Sequence, residues 1–281
     1  MSHKFSWLLK KTMLFEIVVA CVFAMIIIFL LWKNVGINEG RFKIVYDVSI
    51  NIMAASGLAF IIELIGAKIN LTENIDEEKK TLLRHHLFIK HLISKYVASY
   101  IDLTTPDYSE ATKLLSECDF ENNDGVNGMR QDIAPVDLAR MFGRSILVSD
   151  GMFTSPIVKW VKREQFVAEA FEKVVFSCEL KFFSDLRNDM LAFMKSISDY
   201  DCNSQILEAF QIRVGKEKDT DWMTKCIKSG ELTHYITQRI NGEKESSYNA
   251  MRPYMCLFFK LKSQREILLA YENHIAHVIN S

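Results

Sequence analysis

From Met13 to Trp32 the chain carries one charged residue, Glu16, and from Ile17 to Trp32 it is an unbroken apolar run. Roughly twenty apolar residues, each adding about 1.5 Å to a helix, reach across about 30 Å of hydrocarbon. A helix in the core of a soluble protein keeps a polar face, and this stretch has none. A cleaved secretory signal would have a shorter apolar region of about 7–15 residues followed by a small-x-small site. Here the run ends in Leu30, Leu31, Trp32 and Lys33. The sequence therefore predicts a transmembrane helix over 13–32.

A second span is expected over 44–67. It holds Asp47, Ser49, Asn51, Ser56 and Glu63, but Ile52 to Ile62 is free of charge. Asp47 and Glu63 stand near its ends, where a carboxylate reaches the headgroups at reduced cost. Orientation follows from the cations that flank the spans. Lys4, Lys10, Lys11, Lys68, Lys79, Lys80 and Arg84 lie on one side, against Lys33, Arg41 and Lys43 in the connector. Seven against three places both termini in the cytoplasm by the positive-inside rule. The expected organisation is a cytosolic flank at 1–12, a transmembrane hairpin at 13–67 with spans 13–32 and 44–67, and a cytosolic α-helical domain at 68–281.

The six cysteines, Cys21, Cys118, Cys178, Cys202, Cys226 and Cys256, form no C-x-x-C pair and sit in apolar stretches, as reduced cysteines of a cytosolic domain do. Beyond the membrane the apolar spacing is helical nearly throughout, so the fold class is all-α with a bundle of about six helices. A helix beginning at Asn70–Asn74 is expected to run to Ile101. Thr105 followed by Pro106 predicts the start of a short helix reaching Cys118. Further helices are expected over 135–148, from Ser155 and Pro156 to at least Leu186, and over 202–214, 220–239 and 246–279. The stretch 120–132, with Asn122, Asn123, Asp124 and Gly125, reads as a loop.

Chemistry-bearing motifs are missing. The chain has no P-loop, no G-x-G-x-x-G, no G-x-S-x-G and no H-E-x-x-H, which lowers the expectation of an enzyme; no cofactor, catalytic residue or metal ligand is assigned. Asp185 with Asp189, and Asp199 with Asp201, lack the His partners of a helical metal site and read as surface or capping residues. The densest ionisable cluster is membrane-proximal: Lys79, Lys80, Arg84, His85, His86, Lys90 and His91, continuing to Lys95. It suits anionic headgroups or a nucleic acid, but the preceding Glu73, Asp76, Glu77 and Glu78 dilute its field, which favours a solvated helix face. Lys159, Lys162 and Arg163, and likewise Lys260, Lys262 and Arg265, read as outer faces of amphipathic helices.

The polar residues within the spans are the most informative. At 100° per residue, Ser49, Ser56 and Glu63 share one side of the second span, while Asp47 and Asn51 lie nearly opposite. One partner helix covers one such face, so the other is expected to meet another subunit or water. Glu16 enters the membrane on the side where Glu63 leaves it, so a hairpin brings both acids toward the cytosolic interface. Ala20 with Ala24, and Ala55 with Ala59, have the small-xxx-small spacing that permits close helix approach.

A two-span hairpin at 13–67 with a helical cytosolic tail resembles, in architecture, the small two-span membrane effectors of bacterial anti-phage systems, including those attached to retrons and those associated with nucleotide signalling. The resemblance implies an inner-membrane, pore-forming toxin that oligomerises. Its cytosolic part would be held inactive by a protein or ribonucleoprotein partner. The competing expectation is a membrane-anchored adaptor without pore activity.

Overall fold

In the computed structural model, residues 11–32, 40–118, 126–146, 154–214, 217–243 and 250–280 are described. They form nine α-helices and two short 3-10 turns, and no strand occurs among them. The helices are α1 (Lys11–Trp32), α2 (Gly40–Thr104), α3 (Tyr108–Glu117), α4 (Pro156–Ser177), α5 (Ser184–Asp199), α6 (Asn203–Val214), α7 (Glu217–Lys228), α8 (Glu231–Ile240) and α9 (Arg252–Asn280). The 3-10 turns are Val126–Gly128 and Pro135–Arg140. The chain divides into two compact units, Met1–Glu77 and Glu78–Ser281, and the division falls within α2.

α2 joins what the sequence suggested were two helices. No break occurs at Asn70–Asn74: α2 runs through it, and the Thr72 hydroxyl donates to the Lys68 carbonyl a turn earlier (3.0 Å). The first proline of the chain is Pro106, and the residue before a proline is disfavoured in the α conformation, so α2 stops at Thr104. The next helix starts two residues later than expected. Asp107, not Thr105, is its cap, accepting from the backbone N–H of Ser109 (2.7 Å) and Glu110 (3.0 Å).

Two other long helices expected from the sequence are interrupted. After Pro156, with Ser155 capping through the Val158 N–H (3.5 Å), α4 ends at Ser177. Leu180 adopts φ +43°, which lets its side chain enter the core, and Glu78 accepts from the Phe182 N–H (3.1 Å) to satisfy the turn. The segment expected over 220–239 is split by Gly230 at φ +86°, a conformation glycine adopts without penalty. At 135–148 a 3-10 turn replaces the expected helix, with Asp137 accepting from the Ala134 N–H (2.8 Å). The expected loop at 120–132 and the start at Ser246 lie partly or wholly outside the described residues.

Within the second unit, the α2 segment from Glu78 packs with α4, α5 and α9, and the aromatic contacts fix their directions. Tyr96 lies 6.1 Å from Trp160 and 5.8 Å from Phe193, while Phe171 meets Phe193 (5.4 Å) and Tyr271 (5.2 Å). Residue numbers rise along α2 as they fall along α4 and α9, so these helices are antiparallel to it. Burying each such aromatic or aliphatic side chain contributes about 1.5–3 kcal/mol. The turn Pro135–Arg140 and α6 to α8 add a second layer around Met223, Ile227, Leu232 and Ile236.

Candidate functional site

The first unit turns its apolar side chains outward. Leu14, Phe15, Val18, Val22, Met25, Ile28 and Phe29 of α1 are exposed, as are Ile44, Val48, Leu58, Ile61, Ile62 and Ile65 of α2. Contiguous apolar exposure on this scale is what a hydrocarbon solvent accepts and water does not. One helix among the described residues is long and apolar enough to cross a membrane, Lys43–Thr104, and only 6% of its most apolar 18-residue stretch is buried. A soluble core helix would be mostly buried. The described apolar stretch of α1, Leu14–Phe29, is shorter.

The intramembrane candidates separate into two sets. Ser49 is buried at 2% exposure, and Ser56 and Glu63 are half-buried on the same side of α2, among Met53, Phe60 and Ala67. Asp47 and Asn51 are exposed, on the face that carries Ile44, Leu58 and Ile65. On α1 the shielded residues are Glu16, Val19, Ala20, Phe23, Ala24, Ile26 and Ile27, and Glu16 Oε2 is buried with no hydrogen-bond partner among the described residues.

In the second unit the basic cluster is not uniform. Lys80, Arg84 and His91 are exposed, and Lys79, His85 and Lys90 are half-buried. His86 departs from the basic face. It is buried, with Nδ1 3.0 Å from the Tyr271 hydroxyl, and burial first, then the nearby Lys90, push its pKa down to about 4. It is therefore a neutral core residue at physiological pH and carries no charge toward a ligand.

Lys159 and Lys260, expected on outer faces, are also inside. Lys260 and Glu164 are both without solvent exposure, and Lys260 Nζ stands 3.4 Å from the carboxylate. Asn203 accepts from Lys260 Nζ (3.1 Å) and donates to Glu164 Oε2 (2.6 Å). Gln264 donates to Glu164 Oε1 (2.6 Å) and to Ser196 Oγ (3.0 Å), and accepts from the Tyr96 hydroxyl (2.7 Å). Six polar side chains from five helices thus answer one another inside the bundle, with Lys260 also 5.8 Å from the Trp160 ring centroid. Burial raises the Cys202 thiol beside them to about 12, so it is an inert thiol.

A second inward network centres on Asp102, which is fully buried. Arg140 Nη2 donates to its Oδ1 (2.7 Å) and the Ser145 hydroxyl to its Oδ2. Lys159 is nearby, its pKa lowered by burial against the pull of Asp102, and its Nζ has no hydrogen-bond partner among the described residues.

Asp189, read from sequence as a surface or capping residue, meets His274 at 2.6 Å beside an open cleft of about 450 Å³ lined by Phe182, Phe183, Asp185 and His277. No three potential metal donors converge among the described residues. The six cysteines are all free thiols.

The Glu164–Lys260 pair had a detectable signal. Lys260 and Gln264 fall in phase with Leu257, Leu261, Leu268 and Tyr271, the buried stripe of α9, so a charge there is in core register. Comparison of the chain with protein-family models, with characterised proteins and with solved structures finds no match. Its class therefore rests on its own residues: an all-α protein with a strongly apolar N-terminal unit and a helical unit that buries polar networks.

Proposed function

We propose that this chain is a membrane effector. In this reading α1 and the first part of α2 cross a bacterial inner membrane as a hairpin, with both termini in the cytoplasm. Several copies assemble and permeabilise the bilayer when a protein or ribonucleoprotein partner releases the helical unit, as in abortive-infection defence against phage.

The observation that carries this reading is the position of Asp47 and Asn51 on the exposed face of α2, among side chains suited only to lipid. Asp47 stands near the span's end, within reach of the headgroups, but the Asn51 amide a turn further in faces hydrocarbon and leaves polar groups unsatisfied, at a cost of several kcal/mol. A second copy or a shared water-filled path would answer them, which a monomeric tether cannot do. The shielded residues support the hairpin itself. On α2 they recur at alternating spacings of three and four through Ser49, Met53, Ser56, Phe60, Glu63 and Ala67, the seam that a packed helix pair uses. Small residues at Ala20, Ala24, Ser56 and Gly57 allow close approach.

The test is inducible expression in bacteria carrying a membrane-potential dye. Wild type is expected to depolarise the cells, whereas Asp47→Leu and Asn51→Leu should reach the membrane fraction equally and leave the potential intact. Depolarisation unaffected by either substitution, or none from wild type at expression exceeding its partner, sinks the pore reading. If an unrelated two-span anchor replaces residues 13–67 and activity persists, the adaptor reading prevails.

A further inference from the structure

The outward face of α2 within the helical unit is built as a basic ridge with apolar shoulders. Between Lys79 and Ile101 the chain contains no acid. Leu82, Ile89, Ile93, Val97 and Tyr100 occupy the core face, and on the opposite side lie Lys80, Arg84, His91 and Lys95, all exposed. None of these four side chains has an ion pair among the described residues. Leu87 and Phe88 stand on either side of the ridge at its midpoint, 73% and 61% exposed. Single exposed apolar residues are ordinary, but two large ones set between Lys80 and Arg84 on one side and His91 and Lys95 on the other form a patch with a defined pattern. From Lys80 to Lys95 the ridge is about 23 Å long at 1.5 Å per residue, which matches one helix laid alongside it.

We propose that this ridge docks an acidic amphipathic helix from a partner protein. The inference deepens the proposed control by a partner and rests on that reading for the partner's role. Charge selects the occupant. A second copy paired antiparallel about Leu87 and Phe88 would set Lys80 against Lys95, cation on cation, and Arg84 against His91, which offers it no carboxylate. Parallel pairing repels in the same way. Anionic residues at matching helical spacing would answer all four positions, and an apolar residue between them would cover Leu87 and Phe88. Those two side chains also favour protein over nucleic acid, since the aliphatic Leu87 offers no face for base stacking.

The experiment uses the full chain in lipid nanodiscs and a fluorescein-labelled helical peptide with leucine along one face and glutamate along the other, read by anisotropy. Saturable binding is expected. The double substitution Lys80→Glu/Arg84→Glu, at exposed positions that leave the bundle intact by circular dichroism, should weaken it about tenfold or more. A peptide with lysine replacing glutamate should recover affinity for that variant. Leu87→Ser/Phe88→Ser should weaken both pairings. No saturable binding, binding indifferent to charge reversal, or tighter capture of an oligonucleotide or of phosphatidylglycerol vesicles through the same residues would overturn the proposal. A chain that depolarises membranes yet ignores the peptide removes the ridge and leaves the effector reading standing. A chain that binds the peptide but never depolarises does the reverse.

Discussion

The two units handle polar side chains in opposite ways. In the bundle, Glu164, Lys260, Gln264, Asn203, Ser196 and Tyr96 point inward and satisfy one another, with each oxygen of the Glu164 carboxylate engaged. In the apolar unit, Asp47 and Asn51 point outward among aliphatic side chains, and Glu16 Oε2 is shielded without a hydrogen-bond partner among the described residues. Low dielectric makes an unanswered polar group expensive in either setting. The bundle answers this cluster from within, although Lys159 Nζ, Trp160 Nε1 and the Tyr235 hydroxyl have no hydrogen-bond partner among the described residues. The apolar helices are finished by what surrounds them, and the functional proposal rests on that asymmetry.

The largest effect is expected from cutting the inner network on one side only. Lys260→Met leaves the Glu164 carboxylate buried and uncompensated, a loss of about 3–5 kcal/mol. Glu164→Leu should cost a similar amount. Combining the two should restore much of the loss, because the desolvation of both charges disappears with them. Denaturant unfolding of the full chain in detergent, followed by near-ultraviolet circular dichroism from the aromatic core, measures this. Additive losses in the double variant would show that the pair is packing alone.

A matched pair of surface substitutions sharpens the contrast. Leu58 and Phe176 are both large, exposed apolar residues, one in each unit. Leu58→Arg places a charge at mid-span and should raise the insertion free energy by about 2.5–3.5 kcal/mol, read as a fall in the membrane-integrated fraction. Phe176→Arg faces solvent and should shift bundle stability by no more than about 0.5 kcal/mol. Equal tolerance at the two sites would mean that Leu58 faces protein or water.

The sequence revealed the apolar unit more completely than the bundle. Continuous apolarity and its seven-residue spacing are local signals, so the faces of Ser49, Ser56 and Glu63 on one side and Asp47 and Asn51 on the other were readable from helical geometry. All-helical character was readable for the same reason. Long-range partners were not. Glu164 meets Lys260 and Gln264 across about a hundred positions, and nothing in the neighbourhood of Lys260 except its phase distinguishes it from the half-buried Lys262. Helix ends were missed where tertiary contacts decide them. Leu180 accepts a positive φ because its side chain reaches the core and Glu78 satisfies the turn. Conversely, Asn70 and Asn74 sit mid-helix in α2 without ending it. His86 shows the same limit, since Arg84 and His91 of the same basic run are exposed while its own side chain is on the core face.

His86 supplies the smallest of the three effects and the cleanest sign. An unfolded histidine titrates near 6.5, and burial holds this one to about 4 in the folded protein, so the unfolded chain binds more protons between those values. Its contribution to stability is therefore intact above about pH 6.5 and is lost progressively as the pH falls toward 4. Near pH 5.5 the loss is about 1–1.5 kcal/mol from this residue alone. Other groups add their own pH dependence: burial raises Glu78, Glu272 and Asp189, which bind protons more readily when folded and work in the opposite direction. The measurement is consequently a difference. His86→Gln keeps a polar side chain opposite the Tyr271 hydroxyl but cannot protonate. Subtracting its unfolding free energy from that of wild type at each pH removes the carboxylates common to both. The difference should fall by about 1 kcal/mol between about pH 7 and 5.5. A flat difference would place His86 in contact with water, on the edge of the bundle and not in its core.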